Sequence, residues 1–283
     1  MQSKKEATSA IDEAPGNWNP LCRFGGVAAL ILLVYSLATM VQMIVLGGQP
    51  ASAAQAFDLL DHHRIVALLR LDLPTVCAMP LYYLLFLGLF AALKRSSPSY
   101  SLLSAALAFS GATLVLSTPT ALSLVPLSDK YASAATDAAR MQLLSAGEAL
   151  MAADIWHSTA AILGGVLLQC GAVLICVVML RGGVFSRATA WLGIVMHALD
   201  LAHIVGGLFL PVAGVVLLSI AGPLYPIWLF LVGRRLLKLA AIKTWPGTHD
   251  SLIAPCRSRH FIHRDCFRLK RIPPSAHYSG VRL

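Results

Sequence analysis

Six mostly apolar blocks, each about twenty residues or longer, leave this chain few ways to fold. A helix rises about 1.5 Å per residue, so about 20 residues match the roughly 30 Å hydrocarbon core of a bilayer. Composition agrees: 57% of the 283 residues are apolar and 12% charged, against about 25% charged in soluble domains. A membrane β-barrel would alternate apolar and polar residues along each strand, and these blocks do not. The fold class expected is therefore all-α, an integral membrane six-helix bundle. Its spans are expected at about 24–46, 73–93, 100–125, 155–180, 188–209 and 212–237, within a transmembrane domain of residues 24–240.

The connecting segments set the remaining organisation. Residues 1–23, with Pro15, Gly16 and Pro20, read as a disordered lead. The first block is too long for a signal-peptide core and reads as a retained span. Residues 51–70 suit a surface helix whose apolar face holds Phe57, Leu60, Val66 and Leu69. Residues 131–153 are Ala-rich and are expected to run straight into the fourth span. Both would be amphipathic helices on the outer face. Residues 241–283 read as a basic, disordered tail. The six cysteines are scattered without a disulfide spacing.

The net charge of +9 superficially suggests nucleic acid. Most of it lies in the tail, where anionic lipids next to a bilayer are the simpler partner; no nucleic-acid partner is expected. With both termini cytoplasmic, eighteen of the 22 Lys and Arg fall on the inner side. Only Arg64, Arg70, Lys130 and Arg140 fall outside, as the positive-inside rule requires. The localisation expected is a cell membrane, multi-pass.

The costliest residues to place in lipid lie in the hairpin formed by spans four and five, around the basic turn Arg181-Gly-Gly-Val-Phe-Ser-Arg187. The fifth span carries His197, Asp200 and His203, with Asp200 about 18 Å from its inner end. An Asp near mid-membrane costs about 2.5–3.5 kcal/mol on insertion scales, so partners are required. His157 and Asp154, at the outer mouth of the fourth span, are the expected partners. The candidate site is His157, His197, Asp200 and His203. Three readings follow from it: a structural polar cluster, a proton or solute pathway, and a metal or haem site. No cofactor is required by the sequence, and the metal identity stays unknown. In the sixth span, Gly222, Pro223 and Pro226 are expected to break the helix, as at some transporter binding sites.

Other signals fail on chemistry. Ala108-Phe-Ser-Gly111 lacks the first Gly of an intramembrane serine-protease motif. Phe261-Ile-His-Arg-Asp265 resembles a kinase catalytic loop, but Lys270 stands where that loop needs Asn. Cys256, His260, His263 and Cys266 lack a standard zinc spacing.

The residues Met179-Leu-Arg-Gly-Gly-Val-Phe-Ser-Arg187, Ala188-Thr-Ala-Trp-Leu-Gly-Ile194, Leu199-Asp200 and Tyr225-Pro-Ile-Trp-Leu-Phe-Leu-Val-Gly-Arg-Arg-Leu236 carry a resemblance. Together with Glu148 in the Ala-rich helix, they make residues 20–240 resemble the bacterial domain-of-unknown-function 4386 family. The resemblance implies a six-helix bacterial inner-membrane protein without assigned catalytic residues. The function expected is non-enzymatic: a structural, sensing or accessory membrane component. The alternatives are a small transporter or channel using the Asp200 cluster and the broken sixth helix, and an intramembrane metal or haem enzyme. The oligomeric state is left open.

Overall fold

The computed structural model describes residues 18–241, and every regular element among them is a helix. In chain order these are α1 (Asn19–Val45), α2 (Ala53–His62), α3 (Arg64–Leu71), α4 (Leu73–Leu93), α5 (Pro98–Leu116), α6 (Ala121–Ala132), α7 (Asp137–Ala152), α8 (Thr159–Gly182), α9 (Arg187–Gly207), α10 (Pro211–Ala221) and α11 (Leu224–Ala241). Six segments are long and apolar enough to cross a membrane: α1, α4, α5 continued by α6, α8, α9, and α10 with α11. Residues 1–17 of the expected lead and 242–283 of the expected tail, with its Cys256, His260, His263 and Cys266, lie outside the described residues.

The spans neighbour one another in a closed ring. α1 packs on α4, α4 on α5, α5 on α8, α8 on α9, α9 on α11, and α11 returns to α1. α4 also touches α8 and α11, so its Leu85, Phe86, Leu89 and Leu93 sit deep in the main core beside Leu32, Ile175, Met179 and Trp228. Lipid gives apolar helices no solvent-driven reason to associate, so close backbone contact at small residues must do that work. A Cβ on Gly25 would come within 2.7 Å of the Gly88 Cα, and one on Gly164 within 2.7 Å of the Gly111 carbonyl. Between α5 and α8 the Ser104 hydroxyl adds a 2.7 Å hydrogen bond to the Gly171 carbonyl. Large apolar side chains such as Val34, Ile44, Leu102 and Val212 point outward.

At one end of the ring, α2, α3, α6 and α7 form a separate helical cap. Its core joins Phe57, Leu60, Ala67, Leu71, Ala121 and Leu124. Polar groups stitch it together. Glu148 Oε1 accepts the Ala53 N–H at 2.8 Å, at the start of α2. Arg64 pairs with Asp129 between α3 and α6.

Several expected boundaries change. Residues 19–23 are helical, and Cys22 is buried. Residues 51–70 form two helices that break at His63, where φ is −142°; Ala67 and Leu71, rather than Val66 and Leu69, face the core. The third span bends at residues 117–120, ahead of Val125, because Ala121 and Leu124 belong to the cap. Nor does the Ala-rich helix run into the fourth span. Asp154 Oδ1 accepts the N–H groups of Trp156 at 2.8 Å and His157 at 3.0 Å and folds a turn, and Ser158 then caps α8 through the Ala161 N–H.

The contact of Asp72 with Ala121, between the bundle and the cap, carries a pH test. Asp72, just before α4, turns both carboxylate oxygens to the Ala121 N–H, at 2.9 and 3.0 Å, and so caps α6 from a distant part of the chain. Burial lifts its carboxyl well above the ordinary carboxylate range, to about 6; the Ala121 hydrogen bond opposes this, and the nearby Asp154 charge adds to it. The folded form then holds the proton more tightly than the unfolded chain. Its stabilising share is complete below about pH 4 and is lost as pH rises through about 6. Asp72→Asn keeps an acceptor for Ala121 without the ionisation. Melting in detergent at stepped pH is expected to show the variant matching wild type near pH 4 and exceeding it above pH 6. Parallel curves would refute the assignment.

Candidate functional site

The polar side chains around Asp200 come from three helices. α8 supplies Gln169. α9 supplies His197 and Asp200, three residues apart and therefore about 60° apart around its axis. The first turn of α11 supplies Tyr225. That turn starts where it does because Pro223 has no N–H and leaves the Ser219 carbonyl without a donor four residues on. The helix accordingly stops at Ala221 and resumes at Leu224, with the Tyr225 N–H on the Gly222 carbonyl at 3.2 Å. Gly222, Pro223 and Pro226 thus sit at the break and the turn that follows it, and they position Tyr225.

Gln169 is the hub. Its amide nitrogen donates to Asp200 Oδ2 and, at 2.9 Å, to the Tyr225 hydroxyl. Tyr225 in turn donates to the same Asp200 oxygen at 2.7 Å. With both amide hydrogens committed, Gln169 Oε1 is the acceptor facing His197 Nδ1 at 2.6 Å. This fixes the histidine tautomer: Nδ1 carries the proton and Nε2 presents a lone pair. Nε2 is buried and has no hydrogen-bond partner. The imidazole stands edge-to-face against Trp228, with centroids 4.9 Å apart, and against Tyr225 at 5.6 Å. His197 is only 3% exposed and Gln169 7%, whereas Asp200 is half-buried.

The structure brings together some of the expected site residues and separates others. His197 and Asp200 share the hub. His203 turns its Nδ1 to the Gly214 carbonyl of α10, at 2.9 Å. His157 is exposed in the turn before α8, with Nδ1 2.8 Å from Asp154 Oδ1, while Gln49 holds the other oxygen of Asp154 at 2.6 Å. Neither His157 nor Asp154 partners Asp200; Gln169 and Tyr225 do. The reason is depth: Gln169 lies about 15 Å further along α8 than Thr159, level with Asp200. Among the described residues, no three His, Cys, Asp or Glu side chains converge as metal ligands would.

Chemically, this arrangement can hold a carboxylate in the bundle by two donors and keep one imidazole nitrogen dry. Compared with protein-family models, curated proteins and solved structures, the chain matches none. The site must therefore be read from its own geometry.

Proposed function

We propose that this chain is a non-enzymatic, multi-pass protein of a bacterial cell membrane, a structural or sensing component whose Gln169–Asp200–Tyr225–His197 network latches the broken sixth span to the fourth and fifth. Both termini would be cytoplasmic, with the basic tail against anionic lipid. The likeness to the domain-of-unknown-function 4386 family rests on the motifs quoted above and adds no residue roles.

The observation that carries this reading is mutual bonding: each of the four side chains hydrogen-bonds to at least one of the other three, with His197 Nε2 left unpartnered. A pathway residue would instead need a partner it can release. Asp200→Asn tests the difference. Asn keeps an acceptor oxygen for both donors, which meet at Oδ2, but loses the charge that strengthens those bonds. The loss expected is about 1–2 kcal/mol, read by thermal unfolding in detergent. Proteoliposomes holding wild type or variant should show the same pH-driven flux as empty vesicles.

A second reading has its own support. The Gly222–Pro223 break lies beside a half-buried carboxylate and an unpartnered imidazole nitrogen, features that a small proton-coupled transporter would use. A wild-type flux that Asp200→Asn abolishes while the protein still folds would replace the latch with that pathway.

A further inference from the structure

At the end of the bundle away from the cap, a cavity of about 320 Å³ opens between the α8–α9 turn and the last turns of α11. Arg234, Arg235 and Lys238 line one wall, and Ser186 and Thr189 line the other. Among the described residues, no carboxylate lines it. Arg234 and Lys238 are four residues apart, so two like charges face each other across one turn, an arrangement that weakens a helix unless an anion offsets it. Among the described residues, none of the three cations makes an ion pair.

The opposite wall is also donor-rich. Ser186 caps α9 by accepting the Thr189 N–H at 3.1 Å, and its hydroxyl meets that of Thr189 at 2.8 Å. The Arg187 and Ala188 N–H groups have no carbonyl four residues back within the helix. Neither residue lines the cavity itself; the positive end of the 21-residue α9 reaches this wall through Ser186 and Thr189. Arg235 holds the geometry: its Nε donates to the Val184 carbonyl at 2.6 Å, which ties the turn to α11 and leaves the outer edge of the guanidinium for a second partner. The positive-inside rule explains cations in a loop. It does not explain three of them, two hydroxyls and a helix start around one cavity.

We infer that this cavity is a binding site for a phosphate oxyanion. Its place at the ends of three membrane helices favours the phosphodiester of an anionic phospholipid. Arg234 and Lys238 supply the charge, the outer edge of Arg235 and the Ser186–Thr189 hydroxyl pair supply the hydrogen bonds, and the start of α9 adds its dipole. This site is separate from the Asp200 network and does not depend on its reading.

The test uses the full chain in dodecyl maltoside micelles, titrated with didecanoyl phosphatidylglycerol, with phosphatidylcholine of the same chain length, or with inorganic phosphate, and followed by thermal unfolding. Wild type is expected to be stabilised by phosphatidylglycerol and not by phosphatidylcholine. Arg234→Gln/Lys238→Gln should need about tenfold more phosphatidylglycerol for the same rise. Lys130→Gln/Arg140→Gln, which removes two charges from the cap, should respond as wild type does. An equal, pocket-dependent response to inorganic phosphate would support the site and assign it to a soluble phosphate. A pocket variant that responds like wild type would overturn the inference. So would a cap variant that loses as much, or a wild type indifferent to both anions. Should the double variant fail to purify, Lys238→Gln alone carries the comparison with the same outcomes.

Discussion

Gly111→Leu is expected to prevent α5 from seating on α8 and to leave little folded protein in detergent, while Gly111→Ala costs about 2–3 kcal/mol. A single Cβ at residue 111 would fall within 2.6 Å of the Leu168 backbone nitrogen and 3.0 Å of its Cα, and it would also meet the Gly164 carbonyl. These neighbours are backbone atoms of a continuous helix, so no side chain can rotate away and only separation of the two axes relieves the clash. Separation would also break the Ser104–Gly171 hydrogen bond on the same seam. Helix propensity works the other way, since Ala and Leu both favour a helix over Gly by nearly 1 kcal/mol in water. Loss of stability would therefore report packing alone. Ser110→Leu, one residue earlier on an exposed face, is the control and should stay within about 0.5 kcal/mol of wild type. If Gly111→Leu melts with wild type, close backbone contact is not what joins these two spans.

The same seam shows what the residues did and did not disclose. Span number and approximate place followed from apolar length, because lipid forces each segment to satisfy its own backbone as a helix. Span ends did not, because they depend on particular side chains reaching across the fold. The third span bends before Ala121 because Asp72 caps that nitrogen from 49 positions away. The fourth starts at Thr159 because the Asp154 carboxylate folds the preceding residues into a turn. Hydropathy carries no trace of either contact. The cap core was also mis-faced in part, since a helix that breaks at His63 restarts its periodicity.

At the site, cost in lipid marks Asp200 as a residue needing partners and points to His157 and Asp154 at the mouth of the fourth span; the structure gives it Gln169 and Tyr225 instead. Hairpin arithmetic would have found one of them. Gln169 is thirteen residues before the end of α8 at Gly182, and Asp200 is thirteen after the start of α9 at Arg187. Antiparallel helices joined by a short turn put residues equidistant from that turn at the same depth, here about 20 Å in. By the same count His157 lies well beyond the level of Asp200. Gln169 drew no attention because an uncharged amide costs less to bury than a carboxylate. Tyr225 stands in the helix break and in a family motif, and neither signals that its hydroxyl donates to Asp200.

Gln169→Leu is expected to be the most damaging polar substitution in the bundle, at about 3 kcal/mol. An interhelical hydrogen bond in a membrane averages about 0.6 kcal/mol, and the best reach about 1.7, so deleting one bond would be mild. Gln169 makes three, to Asp200, Tyr225 and His197. Its loss also leaves the carboxylate with one donor and the His197 Nδ1–H with none, and stranding buried groups costs more than the bonds themselves. That asymmetry gives a sharper test than the single variant. Asp200→Leu removes the carboxylate that most needs Gln169, so once it is in place the second substitution should do much less harm. A double-mutant cycle in detergent is expected to give a coupling of at least about 1 kcal/mol, with Gln169→Leu/Asp200→Leu more stable than the sum of the two losses allows. Two losses that simply add, within about 0.3–0.5 kcal/mol, would mean that the four side chains are neighbours without being a latch. The broken sixth span would then owe its position to apolar packing around Trp228 and Leu236 instead.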